Sequence, residues 1–206
     1  MAQPKVLLAD DHSMVRKGIK QIINHQFQHA EINEAETCDE LMRELFNTEY
    51  THLVLDIIFP DGNALDVIPT IRSAFPDLNI LILSMCSEDM YRKVLKPFRI
   101  FAFVNKSAPE EETTTLLRQF IANEITHPDH TGKVSSDHPF SSLSRGELQV
   151  LHYLLKGLGT KEIAVILNIK MNTVSTVKGR IFQKTKTSNL IELLELAGLF
   201  NCYYFL

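Results

Sequence analysis

Residues 52–62 read HLVLDIIFPDG, and this stretch decides the fold. Leu53, Val54 and Leu55 run without a polar face into Asp56, and Pro60, Asp61 and Gly62 then break the chain. An unbroken apolar run of this length suits a strand covered on both sides, as in a parallel sheet. Working outward, the same layout recurs. It predicts strands over Lys5–Ala9, Ile32–Ala35, His52–Ile57, Asn79–Leu83 and Ile100–Val104, with helical periodicity near 13–26, 38–47, 64–74, 88–96 and 109–122. Strand and helix alternating five times predict a doubly wound α/β domain with a five-stranded parallel sheet over residues 1–122.

Residues 123–140, NEITHPDHTGKVSSDHPF, have two prolines, a glycine and no sustained apolar period, the composition of a linker. Their histidines (His127, His130, His138) are loosely spaced and read as solvated linker rather than as a metal site. From residue 141 to 206 the pattern is wholly helical. Ser144 and Glu147 form an S-x-x-E capping box ahead of Leu148, Val150, Leu151 and Leu154. Gly157 and Gly159 break that helix, Thr160 starts a second, a third spans 171–186 and a fourth follows Asn189. Four short helices predict a compact all-α module.

Charge separates the two parts. Residues 1–140 carry 13 Lys and Arg against 21 Asp and Glu, a net of −8, whereas 141–206 carry 8 against 4, a net of +4. An acidic body with a basic helical module points to nucleic acid as partner of the second part. Hydrophobic residues at 45% and charged ones at 22% are ordinary for a globular chain. No apolar run approaches the roughly 20 residues of a membrane span, and no signal-peptide layout opens the chain. The three scattered cysteines (Cys38, Cys86, Cys202) suggest a reducing compartment rather than a disulfide framework. The expected location is the cytoplasm, with no membrane partner.

In a parallel α/β sheet, ligands bind beyond the carboxyl ends of the strands. There the first strand carries Asp10 and Asp11, the third ends at Asp56, the fourth at Ser84, and the fifth runs into Lys106. Three carboxylates, a hydroxyl and an ammonium thus converge on one edge. Crowded acids repel one another unless a cation sits among them, and hard oxygen donors suit Mg²⁺. Such an ion would also screen a carboxylate nucleophile from an incoming phosphoryl anion. Taken singly, each aspartate reads equally well as a helix or turn cap; it is the whole set, in this order, that points to phosphoryl chemistry.

ADDH at 9–12, DIIFPDG at 56–62, Ser84 and Lys106 resemble the receiver domain of two-component response regulators, over about residues 4–122. The resemblance implies the flavodoxin-like, CheY-like receiver fold, with Asp56 as phosphoacceptor. Asp11 would hold Mg²⁺ directly, Asp10 through water, and the Ile58 carbonyl would supply a further oxygen. Ser84 would hydrogen-bond the phosphoryl group, Lys106 would pair with it, and Phe103 matches the aromatic residue that turns inward when Ser84 is recruited. As a strand residue, Phe103 reads equally well as core. Two features depart from the family: Met85 is large where a small residue is usual, and PFRIFAF precedes Lys106 where small residues are favoured.

Residues 143–200 are similar to the LuxR-type helix-turn-helix of NarL/FixJ regulators, through Glu147, Gly157, KEIA at 161–164, TVSTVK at 173–178, Ile181 and Lys184. The histidine common in that recognition helix is Val177 here. Helical periodicity sets Val174, Val177 and Ile181 inward, as Ile163, Ala164 and Leu167 are on the preceding helix. That leaves Asn172, Ser175, Thr176, Gly179 and Gln183 facing base edges, with Lys178, Arg180 and Lys184 on the flanks, within reach of phosphates. The fourth helix, through Leu190, Leu193, Leu194 and Ala197, is expected to pair two output domains, with the aromatic tail Phe200, Tyr203, Tyr204 and Phe205 adding to that contact or to the core.

The expected protein is therefore a non-enzymatic transcriptional response regulator. A sensor histidine kinase phosphorylates Asp56 with Mg²⁺, and the chain binds double-stranded DNA as a homodimer, with RNA polymerase a candidate further partner. Two rivals are weighed beside it. A phosphorylation-independent regulator would use the receiver only to dimerise, which the intact acidic set argues against. An aspartate-nucleophile phosphatase would carry its nucleophile after the first strand, in a D-x-D-x-T pattern that ADDH does not match.

Overall fold

The computed structural model describes residues 3–124 and 138–200. His127 and His130 of the expected linker, Cys202, and Tyr203, Tyr204 and Phe205 of the tail lie outside the described residues. The described residues divide into two compact units, 3–84 with 95–124 and 85–94 with 138–200.

Five strands form the sheet: β1 (Lys5–Ala9), β2 (Glu31–Ala35), β3 (His52–Leu55), β4 (Asn79–Ser84) and β5 (Ala102–Asn105). All pair in parallel, in the order β2-β1-β3-β4-β5. This is the doubly wound arrangement with its switch point between β1 and β3. Val6, Leu8, Val54, Leu81, Leu83, Ala102 and Val104 line one face of the sheet. They pack with Ile19 and Ile23 of helix α1 (Ser13–Gln26) and Leu117, Phe120 and Ile121 of α5 (Glu110–Ile121). Between them in sequence lie α2 (Cys38–Asn47), α3 (Ala64–Ala74) and α4 (Glu88–Leu95).

Two strand ends differ from expectation by two residues, each for a local reason; the other differences are of one residue. β3 stops at Leu55 rather than Ile57 because the Ile57 amide turns to the Asp56 carboxylate and the Ile57 carbonyl accepts from Ala64. β5 starts at Ala102 rather than Ile100. A short 3₁₀ turn, Lys96–Phe98, ends in left-handed Arg99 (φ 48°), which delays entry to the ladder. The Arg72 guanidinium holds that turn, donating to the carbonyls of Phe98 (2.9 Å), Pro76 (2.8 Å) and Leu78 (2.8 Å).

The second unit carries α6 (Arg145–Leu155), α7 (Thr160–Ile166), α8 (Met171–Thr185) and α9 (Leu190–Leu199). The Ser144–Glu147 capping box forms as the sequence predicts. Left-handed Gly157 (φ 80°) turns the chain after α6, and Asn168 (φ 50°) makes the turn between α7 and α8. Helix α8 packs on both α6 and α7. Among the described residues, no helix is long and apolar enough to cross a membrane.

The far edge of the sheet, away from the acidic cluster, holds a buried histidine. His52 Nε2 lies 3.1 Å from the Phe120 carbonyl, and its Nδ1 lies 2.8 Å from Thr51 Oγ1. Burial lowers its pKa, outweighing the hydrogen bonds it makes to Asn123 and Phe120, which favour the charged form. The unfolded imidazole therefore takes up a proton more readily than the folded one. Stability from this group is present above the ordinary value near 6.5 and is lost as pH falls towards the lower folded value. Urea unfolding of the full chain at pH 7 and pH 5 should show wild type losing more stability on acidification than His52→Gln; equal losses would contradict this role.

Candidate functional site: an acidic pocket at the sheet edge and an exposed recognition helix

The strand register brings the acidic residues together. Ala9 pairs with Leu55, so Asp10 and Asp56 emerge side by side where β1 and β3 end, and the Asp56 amide donates to the Ala9 carbonyl at 2.8 Å. Ser84 pairs with Asn105, and the Lys106 amide donates to the Ser84 carbonyl at 2.8 Å, which carries the lysine onto the same edge. Lys106 Nζ then lies 2.7 Å from Asp56 Oδ2 and 2.7 Å from Asp10 Oδ2. The other Asp56 oxygen, Oδ1, accepts from the Ile57 amide at 2.7 Å.

Asp56 is only 4% exposed. Burial pushes its carboxyl up to about 6; Lys106 opposes this and Asp10 reinforces it. The Lys106 ammonium loses hydration by burial, but Asp56 and Asp10 outweigh that loss and raise its pKa, so it stays charged. A divalent cation among the acids would act in the same sense as Lys106 and keep Asp56 ionised. The donor set fits one: Asp10, Asp11, His12 and Asp56 each offer a ligand atom, all within 4.8 Å of one another. Ser84 is buried at the end of β4, and Phe103 and Met85 are half-buried.

Three residues outside the predicted set hold this edge. Arg16 lies on the buried stripe of α1 with Ile19 and Ile23. Its guanidinium donates to the Asp10 carbonyl (2.6 Å), to Glu34 (2.8 Å) and to Glu36. An arginine on an otherwise apolar stripe is the signal that could have revealed it, since a buried guanidinium needs partners. Asp61 caps α2 from the loop after β3, accepting from the amides of Cys38 (2.9 Å) and Asp39 (3.0 Å). The loop itself closes as a two-residue antiparallel ladder, Ile58–Phe59 with Gly62–Asn63. His12 is the third. Its Nδ1 lies 2.7 Å from Asp11 Oδ1 and 3.1 Å from Asp10 Oδ1.

On the helical module, Val174 and Ile181 are fully buried and Val177 half-buried, as the periodicity predicts. Asn172, Ser175, Thr176, Gly179 and Gln183 are all exposed. A Cβ on Gly179 would meet no atom within 4 Å, so nothing inside the module requires glycine there. Arg180 is exposed, and Lys178 Nζ lies 5.5 Å over the Phe182 ring.

One expectation meets a competing contact and another needs correction. Lys184 Nζ, expected to reach phosphate, pairs with Glu147 Oε2 at 2.6 Å and reaches the Ser142 carbonyl at 3.3 Å, so in this structure its charge is engaged at the α6 cap. Burial works against the Glu147 carboxylate, but Lys184 and Ser144 outweigh it and hold its pKa below the usual range. Leu193 and Ala197, expected between two copies, are fully buried within one chain. Leu190 and Leu194 are half-buried, while Ile191 and Leu199 are 69% and 81% exposed. The outer face of α9 is therefore offset from the predicted one.

A doubly wound sheet with this acidic edge, joined to a helix-turn-helix module, defines a DNA-binding response regulator. The response regulator receiver domain model matches residues 6–118, and that of the luxR family of bacterial regulatory proteins matches 141–197. The chain belongs to this family and is a DNA-binding transcriptional regulator. It is 30% identical over 208 residues to the oxygen regulatory protein NreC of Staphylococcus carnosus, covering 94% of this chain and 96% of NreC. It is 29% identical to the NreC of Staphylococcus haemolyticus, with the same coverage. Among solved structures it resembles RcsB from Salmonella enterica serovar Typhimurium, bound to promoter P1flhDC in the presence of phosphomimetic BeF3⁻. The TM-score is 0.78 and the identity 26%, over 95% of this chain and 98% of that one.

Removing the partner of a buried carboxylate is costly, and hydrogen bonds to charged groups contribute about 1.5–3 kcal/mol. Because Lys184 is partly exposed, Lys184→Met should lower chemical-denaturation stability of the helical module by about 1–2 kcal/mol. It should leave the salt dependence of DNA binding unchanged. A slope reduced by about one unit with stability intact would make Lys184 a phosphate contact instead.

Proposed function

We propose that Asp56 is the phosphoacceptor and that its phosphorylation controls DNA binding by the helical module. The observation that carries this is the placement of the Lys106 ammonium at 2.7 Å from one Asp56 oxygen while a backbone amide holds the other. A carboxylate fixed in this way presents a defined nucleophile, with a cation beside it to receive the phosphoryl charge. The donor is a sensor histidine kinase, whose phosphohistidine the carboxylate attacks as the nitrogen–phosphorus bond breaks. Asp11, Asp56 and the Ile58 carbonyl would hold Mg²⁺, with Asp10 acting through water; when bound, the ion would screen the charge between carboxylate and phosphoryl group.

Ser84, the last residue of β4, and Lys106, one residue past the end of β5, take the phosphoryl oxygens. Phe103, two registers earlier on β5, follows Ser84 inward. Such a step biases a two-state receiver rather than driving chemistry elsewhere. The domain limits are 1–122, 123–140 and 141–206 for receiver, linker and output. The regulator works in the cytoplasm as a dimer on DNA, with RNA polymerase a candidate partner. The RcsB structure on promoter DNA in the presence of phosphomimetic BeF3⁻, and that of two RcsB dimers bound to two parallel DNAs, support DNA binding as a dimer.

In DNA contact, Asn172, Ser175, Thr176, Gly179 and Gln183 face base edges, and Lys178 and Arg180 take phosphates. The base-facing pole carries no Arg or Lys, so it lacks the commonest bidentate guanine reader and discrimination per half-site is modest. Pairing of two modules uses the outer face of α9, through Ile191 and Leu199 with the half-buried Leu190 and Leu194.

Beryllium fluoride with Mg²⁺ should shift the full chain towards dimer in sedimentation velocity. It should also tighten binding to DNA fragments selected from the genome by about tenfold, the usual size of such coupling. Asp56→Asn should abolish both effects; a wild-type response in that variant would reject Asp56 as the control point. On the selected fragments, Lys178→Ala should weaken all sequences alike and reduce the salt slope by about one unit, whereas Thr176→Ala should change base preference with the slope intact. The reverse pattern would mean that α8 enters the groove rotated from this orientation.

A further inference from the structure

His12 is not needed for the chemistry assigned to Asp56, yet it lies inside the acidic cluster. Its backbone amide donates to Asp10 Oδ1 at 2.8 Å, which fixes the turn between β1 and α1. The imidazole is swung back over that turn, with Nδ1 at 2.7 Å from Asp11 Oδ1, 3.1 Å from Asp10 Oδ1 and 3.5 Å from Lys106 Nζ. In an octahedral site with bonds of about 2.1 Å, neighbouring donors stand about 3 Å apart. The distance from Nδ1 to Asp11, the aspartate that would hold the ion directly, is close to such an edge. Three aspartates and one imidazole nitrogen thus present a mixed set of donors around one point.

We propose that His12, through Nδ1, is an additional ligand of the metal site, and that it opens the site to divalent ions that favour nitrogen, such as Co²⁺, Ni²⁺ and Zn²⁺. This rests on the metal-dependent reading of Asp10, Asp11 and Asp56 given above. The chemical basis is ligand type. Carboxylate and carbonyl oxygens satisfy Mg²⁺, which gains little from an imidazole, whereas the later first-row ions bind imidazole strongly. An oxygen-only site would also rank these ions above Mg²⁺, so the ranking itself decides nothing. The effect of His12 on each ion separately does. The side chain is 62% exposed, so the imidazole can turn its lone pair to an ion without leaving a core.

The test is isothermal titration calorimetry on the full chain with Mg²⁺ and with Co²⁺, together with the visible absorption of bound Co²⁺, which changes when a nitrogen ligand is lost. His12→Ala should weaken Co²⁺ by about tenfold or more, alter its spectrum, and leave Mg²⁺ within about twofold. His12→Gln, which keeps a hydrogen-bonding group beside the two carboxylates, should behave like His12→Ala. Asp11→Asn should lose both ions and so separates this site from the other histidines of the chain. Equal weakening of Mg²⁺ and Co²⁺ in His12→Ala would overturn the proposal, leaving His12 as support for the Asp10–Asp11 turn. So would recovery of Co²⁺ binding in His12→Gln, or no change for either ion. Failure of wild type to bind Mg²⁺ at all would instead reject the metal-dependent reading on which the proposal stands.

Discussion

The structure depends on one electrostatic constraint: the Lys106 ammonium held between the Asp10 and Asp56 carboxylates at the carboxyl edge of the sheet. Two buried carboxylates at that spacing would not both ionise without a cation between them. The strand order makes the contact possible. β1 and β3 are neighbours, so their acids emerge together, and β5 returns the lysine to them across β4. Each end of the bridge is also held from behind. Arg16 fastens the Asp10 carbonyl, the Ile57 amide fastens Asp56, and Asp61 ties the loop between β3 and α3 to the start of α2. A phosphoryl group added to Asp56 would compete for the same ammonium, which is why a small chemical change here can bias a whole domain.

Much of this was legible in the sequence because it depends on local pattern. Apolar runs ending in acids identified β1 and β3, a similar run ending in Ser84 identified β4, and Ser144 with Glu147 marked the start of α6. The acidic residues converge because parallel strands align their carboxyl ends, a rule that needs no knowledge of side-chain contacts. What escaped the reading depends on tertiary partners. Arg16 shows its role only once β2 and the turn after it supply Glu34 and Glu36. Lys184 reads as a phosphate contact until α6 brings Glu147 against it, 37 residues earlier in the chain. Leu193 and Ala197 share a helix face with residues that could join two copies, and periodicity alone cannot tell a module's own core from an interface.

The helical module shows the same economy of charge. Its net positive charge suggests DNA, yet one of its lysines, partly exposed, pairs with a buried glutamate. The exposed pole of α8 is polar and uncharged, with cations at its flanks. On the reading proposed above, such a surface would draw affinity from phosphates and from pairing of two modules, and would leave sequence preference to short side chains. A regulator so built would be well placed for switching through dimerisation, because neither module alone would read much sequence.

The account turns on Asp56 as the phosphorylated residue, and chemical trapping of the acyl phosphate tests this most directly. The full chain would be incubated with a small phosphodonor and Mg²⁺, reduced with borohydride, and mapped by mass spectrometry. Reduction converts a phosphorylated aspartate to homoserine. The account predicts homoserine at position 56 and at no other aspartate, with none formed when Mg²⁺ is chelated. Homoserine at Asp10, Asp11 or Asp61 instead, or labelling of Asp56 that survives chelation, would contradict it.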